Sequence, residues 1–274
     1  LYQQMISDVI RLDGYNFHEL KAHRIGYENQ TSISQHRVDM ATAAMIHYGL
    51  HPGMLVRFLG GEFVGQSRNV RRILDEITPH VSAVDVEHVK RILTQGCPSY
   101  LNFMEPSNNK LNVIRRGNSN TFETNQLLVE KTMNKEERNS HIIPMRKWVV
   151  YFSPYTRHTP QTIIIKQGKK DWVVWDGSTK YQPLDIVMND ITPTDLEAEI
   201  TFGEAKMQLL VSIYNWRISF PLAIIYLAWA DITACFRFPR VAADLTGAFG
   251  FLALQLYFLA IGMVFGSNTS PTSW

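Results

Sequence analysis

Cysteine is scarce in this chain, where Cys97 and Cys235 are the only two among 274 residues. Two isolated cysteines provide no disulfide framework, and they fit a reducing compartment. The sequence opens at Leu1 and shows no basic and then apolar leader of the kind that directs secretion. We therefore expect an intracellular protein, in the cytoplasm or the nucleus.

Histidine is missing from the C-terminal part, since all nine histidines precede residue 159. His47 and His51 have the spacing of metal ligands on a helix, but Gly49 lies between them and Pro52 follows. No third ligand is suitably spaced nearby, so a histidine metal site is not expected. Internal repeats and low-complexity tracts are also absent.

Charge is modest and unevenly distributed. Apolar residues make up 45% of the chain and charged residues 19%, which excludes wholesale disorder. Residues 1–180 carry 23 Lys and Arg against 17 Asp and Glu, whereas residues 181–274 carry 4 against 8. A basic front half favours contact with phosphate backbones, and acidic groups behind it favour divalent cations. An ordinary solvated surface explains the same balance equally well.

Apolar periodicity predicts helices in the first half of the chain. The predicted helices cover 36–50, 67–77, 85–96 and 124–139, and the polar stretch 105–125 is predicted as loop. The second half differs, because 163–165 and 172–175 are short β-rich runs around a polar tip, as in a hairpin.

A helix is predicted from Pro193 to about Tyr214, and the apolar run 223–230 is predicted as a buried strand that ends at Asp231. We place a domain boundary near residue 140. Helices before this point and strands after it predict the α+β class.

Two motifs near the end of the chain have the order and spacing of a polymerase active site. Asp231 follows the predicted strand, Phe236 comes five residues later, and Phe265-Gly266 precedes Ser270-Pro271 and Trp274. This arrangement resembles the palm subdomain of reverse transcriptases. The gap between the motifs is similar to that of Ty3-like or DIRS-like retroelements.

The resemblance implies a role for each matching residue. Asp231 would bind Mg²⁺, and the backbone carbonyl of Ile232 would complete the metal shell. Phe236 would act as a steric gate under the sugar of the incoming nucleotide. Phe265, Gly266 and Pro271 would shape the nucleotide and template pocket, with the glycine allowing a close approach of the backbone.

The hairpin around 163–175 resembles the fingers hairpin of the same family, which ends before an aspartate, here Asp176. In that family basic side chains on the hairpin hold the triphosphate, and Lys166 and Lys170 occupy matching positions. The family's usual arginine four residues before the aspartate is Trp172 in this chain.

The resemblance covers about residues 141–274 and implies part of a right-hand polymerase: some of the fingers and the first half of the palm. Residues 1–140 form a mostly helical region of unknown role. The intact parent would extend a primer on an RNA or DNA template with dNTPs and Mg²⁺. The printed residues lack the family's strand turn with two adjacent aspartates, so we expect no polymerase activity from this fragment alone.

Two alternatives remain open at this point. The nearly continuous apolar stretch 247–265 is long enough to span a bilayer as a helix, which would make the protein an integral membrane protein. A pair of buried palm elements, a strand and a helix with a bend, explains the same composition. The second alternative is a non-catalytic nucleic-acid-binding remnant that uses the basic front half.

Overall fold

The computed structural model describes residues 1–22, 32–59, 70–96, 110–165, 167–168, 171–180, 187–191, 204–224 and 240–264. Helices dominate the first half of these residues. They are α1 (Tyr2–Leu12), α2 (Glu19–Ala22), α3 (Gln35–His47), α4 (Pro52–Leu59), α5 (Val70–Ile77), α6 (Ala83–Gln95), α7 (Lys110–Arg116), α8 (Asn120–Thr124) and α9 (Gln126–Arg138).

Short helices and strands alternate in the second half. They are β1 (Ile142–Arg146), α10 (Trp148–Phe152), β2 (Gln161–Ile164), β3 (Trp172–Trp175), a 3-10 segment (Met188–Ile191), α11 (Glu204–Ser219), a second 3-10 segment (Ala243–Phe249), β4 (Gly250–Ala253) and β5 (Leu256–Ala260). The predicted α+β class is confirmed.

Serine is the N-cap residue of three helices. Ser34 accepts a hydrogen bond from the backbone N–H of Arg37 at 3.3 Å, and Ser82 accepts one from Asp85 at 3.2 Å. Each bond satisfies one of the donors that a helix start leaves free. Ser119 does the same for Phe122 at 3.2 Å. Ser119 therefore starts a helix inside the stretch 105–125, where the sequence had predicted a loop, and α7 also lies there.

The core is built on an antiparallel three-stranded sheet in the order β1-β5-β4. Ile142 pairs with Ala260 at one end of the β1–β5 ladder, and Arg146 pairs with Leu256 at the other. β4 and β5 form a hairpin, in which Ala253 pairs with Leu256 across the two turn residues. Helices cover this sheet on one side, and α8, α9 and the β2–β3 hairpin lie on the other.

Alternate side chains of the sheet enter two separate apolar clusters, as the pleat requires. Tyr257 and Leu259 of β5 pack with α1, α3, α4 and α10. Phe258 and Ala260 pack on the other face with Phe122, Val129, Met133 and Trp175. Because both faces are covered, the strands carry almost no polar residues.

This double burial gives the physical reason for the apolar stretch 247–265. Its described residues, 247–264, form the end of a 3-10 segment and the β4–β5 hairpin. These residues therefore do not form the predicted membrane-spanning helix. The predicted strand followed by a helix is also wrong, since two strands occupy the stretch. No helix in the described ranges is both long and apolar enough to cross a bilayer.

Polar contacts join the helices before residue 140 to the elements after it. Asp39 of α3 accepts hydrogen bonds from Arg146 of β1 at 2.8 Å and from Arg11 of α1 at 3.1 Å. Burial raises the pKa of Asp39, but hydrogen bonds from Arg11, Arg146 and Gln35 outweigh that effect and hold the pKa below its usual value. Trp148 of α10 donates to the carboxylate of Asp8 at 2.8 Å. The described residues on the two sides of position 140 thus share one core, and the domain boundary stays a prediction.

The helices predicted at 36–50, 67–77, 85–96 and 124–139 are confirmed over the residues that the structure describes. The predicted hairpin is also confirmed, with Gln161 paired to Trp175 and Ile164 paired to Trp172. Within the segment predicted as a helix from Pro193, α11 begins at Glu204 and runs to Ser219, beyond the predicted end. Most of the predicted strand 223–230 lies outside the described residues.

Candidate functional site

The residues predicted for the polymerase site lie outside the described part of the chain. They are Asp231, Ile232, Phe236, Phe265, Gly266, Pro271, Lys166 and Lys170. The structure describes what surrounds them in sequence: the segment that joins the two motifs, the hairpin that carries the lysines, and the loop between α10 and β2.

The segment between the motifs, 240–264, is closed by pairing of its own ends. Arg240 forms an antiparallel bridge with Gly262, and the N–H of Val241 donates to the carbonyl of Ile261 at 2.7 Å. The N–H groups of Ile261 and Gly262 donate to the carbonyl of His141, which ties the same point to the start of β1. Chain positions 240 and 262 are therefore held side by side at one end of the central sheet.

The β2–β3 hairpin is exposed toward its tip. Ile164 is 42% exposed and Ile165 is 60% exposed, whereas Trp175 at the base is buried against Phe249. Gly168 lies in the turn with φ +72°, which a glycine adopts without steric cost. Lys166 and Lys170 flank this turn in sequence. Trp172 is 47% exposed at the position where the resembled family has an arginine.

The carboxylate of Asp176, directly after β3, accepts hydrogen bonds from residues close to it in sequence. One oxygen accepts the backbone N–H of Thr179 at 3.0 Å and that of Ser178 at 3.3 Å, and the Thr179 hydroxyl donates to the other. The turn also contacts the 3-10 helix 188–191, because the N–H of Asn189 donates to the carbonyl of Gly177. The carboxylate therefore stabilises the end of the hairpin.

A polar stretch, residues 156–161, connects α10 to β2 and is largely buried. Thr159 donates its N–H to the carbonyl of Gly250, and Asp176 donates its N–H to the carbonyl of Pro160, so the stretch hydrogen-bonds to both hairpins. Within it, His158 is 5% exposed, and neither ring nitrogen has a hydrogen-bond partner. Burial, with a smaller contribution from Lys147, lowers the pKa of His158 to about 3. The ring is therefore neutral at physiological pH.

His51 and Tyr155 form an aromatic pair beside this stretch. Their ring centroids lie 4.2 Å apart with an interplanar angle of 33°, and the Tyr155 side chain is 54% exposed. The Nδ1 atom of His51 accepts the N–H of Met54 at 3.4 Å. His47, its partner in the metal motif, instead packs against Phe17 at 4.8 Å. No group of three His, Cys, Asp or Glu residues in the described ranges could hold a metal ion.

Lys110, at the start of α7, lies close to this aromatic pair. Its Nζ atom donates to the carbonyl of Ser153 at 2.5 Å, and burial lowers its pKa to about 8. The ammonium group is still mostly protonated at pH 7. Sequence reasoning missed Lys110 and Tyr155, because they are separated by more than forty positions and belong to no motif.

No family model, no curated protein and no solved structure matches this chain.

Proposed function

We propose that this chain is part of a reverse transcriptase-like polymerase of a retroelement, of the Ty3-like or DIRS-like kind. The intact parent extends a primer on an RNA or DNA template with dNTPs. In this proposal Asp231 and the carbonyl of Ile232 are metal ligands, and Phe236 lies under the sugar. Phosphates are held by Lys166 and Lys170, and the nucleotide pocket is shaped by Phe265, Gly266 and Pro271.

The observation that carries the proposal is the closure of segment 240–264. Its ends pair at Arg240 and Gly262, and the two motifs flank that point, Phe236 four residues before it and Phe265 three residues after it. The described ends of the segment that joins the two motifs thus meet at one end of a buried sheet.

The β2–β3 hairpin gives independent support. It has the strand–turn–strand form that the fingers hairpin of the resembled family requires, and Lys166 and Lys170 flank Gly168 of its turn in sequence. The buried polar stretch 156–161 connects it to β4. In this proposal the lysines of a hairpin that is attached to the sheet between the two motifs hold the phosphates of the nucleotide bound at Asp231.

Magnesium in the intact parent would supply charge neutralisation for phosphoryl transfer, usually as two ions about 3.5–4 Å apart. One carboxylate cannot hold two such ions, and no group of three or more His, Cys, Asp or Glu residues in the described ranges could hold a metal ion. A polypeptide of these 274 residues is therefore expected to incorporate no dNTP on a primed template. Incorporation that Asp231→Asn abolishes would contradict this expectation.

The positive test is a longer polypeptide, expressed from the reading frame continued beyond Trp274. We expect it to carry a strand turn with two adjacent aspartates and to incorporate dNTPs on a primed template with Mg²⁺. Asp231→Asn should abolish incorporation. Asp244→Asn is the matched control, because Asp244 is an exposed acid in the same segment that pairs with Arg57, and it should leave incorporation unchanged.

A further inference from the structure

We propose that His51, Tyr155 and Lys110 form a binding site for single-stranded nucleic acid. The two rings supply a stacking surface, and the lysine supplies the positive charge for a neighbouring phosphate. The location of this site follows from geometry alone. The choice of nucleic acid as its ligand rests on the proposed polymerase function.

Ser153 brings the three side chains together. Its hydroxyl donates to the carbonyl of Leu50 at 2.7 Å, next to His51, and accepts the backbone N–H of Tyr155 at 3.2 Å. Its carbonyl accepts the ammonium group of Lys110. Because Ser153 and Tyr155 are two residues apart, their Cα atoms lie within about 7 Å, so the carbonyl that accepts Lys110 belongs to the same short backbone stretch that carries the Tyr155 ring.

The ammonium group of Lys110 has no counter-charge among the described residues. The carbonyl of Ser153 takes one of its three N–H donors, and no carboxylate of the described residues lies within ion-pair distance of it. A buried ammonium without a carboxylate loses hydration that only a partial dipole replaces. A phosphate oxygen would supply the missing counter-charge and accept the remaining donors.

The backbone that carries Tyr155 is fixed in place. A Cβ added to Gly247 would lie 2.0 Å from the carbonyl oxygen of Tyr155, so the loop rests directly on the 3-10 segment 243–249. The N–H of Arg157 donates to the carbonyl of Gly247 at 2.8 Å. A rigid backbone presents the ring without an ordering cost on binding.

Stacking and one nearby cation are typical of sites that bind single strands without sequence preference. Every base offers a flat face to an aromatic ring, and each phosphate contact depends on salt. The Nδ1 atom of His51 accepts the N–H of Met54, which leaves the ring hydrogen on Nε2. That N–H can donate to a base or a phosphate.

The test measures binding of a fluorescent twelve-nucleotide oligo(dT) to the 274-residue chain by anisotropy, without metal or dNTP. Tyr155→Ala should weaken binding roughly 5- to 150-fold, the range for one lost stacking contact. Tyr155→Phe keeps the ring and should bind like the parent chain. The matched control is Tyr214→Ala, since Tyr214 is a 65% exposed tyrosine on α11, away from Lys110 in sequence; it should leave the affinity unchanged.

Lys110 has its own readout in the same assay. Lys110→Gln should reduce the slope of log affinity against log salt by about 0.7, the value for one phosphate contact on a single strand, and Lys110→Arg should restore it. Tyr155→Leu covers the case in which alanine disturbs the fold, because it keeps apolar bulk without a flat ring; it too should bind weakly.

Equal affinity of Tyr155→Ala, Tyr155→Leu and the parent chain would overturn the inference. Absence of any oligonucleotide binding by the parent chain would overturn it as well. Both results leave the polymerase proposal to its own test, which depends on Asp231 and on dNTP incorporation. A failure of one is therefore distinguishable from a failure of the other.

Discussion

The two β-hairpins of this protein have similar lengths and opposite environments. The β4–β5 hairpin is buried on both faces and lies in the middle of the core, with Tyr257, Phe258 and Leu259 fully enclosed. The β2–β3 hairpin is buried only at its base, and Ile164 and Ile165 are exposed near its tip. The first hairpin therefore fixes the sheet, and the second is free to present its tip to a ligand.

This difference also explains the composition of the two segments. A strand covered on both faces has no solvent side, so its sequence is a continuous apolar run. The other hairpin is exposed at Ile164, Ile165 and Trp172, and its sequence between the strands is polar. Changes in the buried hairpin should consequently affect stability, whereas changes at the exposed tip should mainly affect binding.

The two hairpins should respond differently to glycine-to-alanine changes. A Cβ at Gly250 would lie 1.8 Å from the hydroxyl oxygen of Tyr257, whose ring is completely buried. Gly250→Ala should lower the free energy of unfolding by roughly 3 kcal/mol, because the ring cannot move away. Gly168→Ala, with open space but a positive φ, should cost only about 1 kcal/mol. Urea unfolding of both variants checks this, and equal losses would contradict the contrast.

The next prediction concerns the loss of stability at acid pH that His158 causes in the polar stretch between the hairpins. The pKa of His158 is about 3 in the folded protein and 6.5 as its ordinary value, so protonation favours the unfolded chain. Its contribution to stability is complete above pH about 6.5 and is lost as the pH falls toward 3. The loss is about 1.4 kcal/mol for each pH unit within that window.

The measurement is urea unfolding of the parent chain and of His158→Leu at several pH values between 7 and 4. His158→Leu should flatten the acid dependence, because leucine cannot take up a proton. His80→Leu, at an exposed position after α5, should keep the slope of the parent chain. An unchanged slope in His158→Leu would show that the acid sensitivity arises elsewhere.

The smallest expected effect lies in the turn of the buried hairpin. Leu254 and Gln255 both have positive φ values, 50° and 58°, as a two-residue hairpin turn of this hand requires. Residues with a side chain resist that conformation, so Gln255→Gly should raise the free energy of unfolding by about 1 kcal/mol.

Gln255→Ala is the matched control for the turn. Alanine loses the same contact with Lys147 but keeps the steric cost of a side chain at positive φ. The variant should therefore not be more stable than the parent chain. The melting temperatures of the two variants make the comparison. A higher melting temperature for both variants, or for neither, would argue against strain at this turn.

Sequence reasoning succeeded where one local signal decided the structure. The helical spacing around Val38 and Met45 predicts α3, and the polar tip between two β-rich runs predicts the β2–β3 hairpin. It failed in two places for different reasons. Ser119 and Asn120 are typical loop residues, but here serine starts α8. The turn of β4–β5 contains no glycine or asparagine, so nothing marked it.

The candidate binding site shows a different limit of sequence reasoning. Ser153 joins Lys110 to Tyr155 and Leu50 through hydrogen bonds that each pair one side chain with one backbone group, and such contacts leave no pattern in side-chain types. The motifs around Asp231 and Phe265, by contrast, are readable from spacing. They identify a resemblance, and their chemistry stays a prediction.

The most direct test of the central claim is dNTP incorporation on a primed template by the polypeptide that continues beyond Trp274. The account predicts Mg²⁺-dependent incorporation that Asp231→Asn abolishes and Asp244→Asn leaves intact. Incorporation unaffected by Asp231→Asn, or a continued chain that binds the primed template and incorporates nothing, would contradict it.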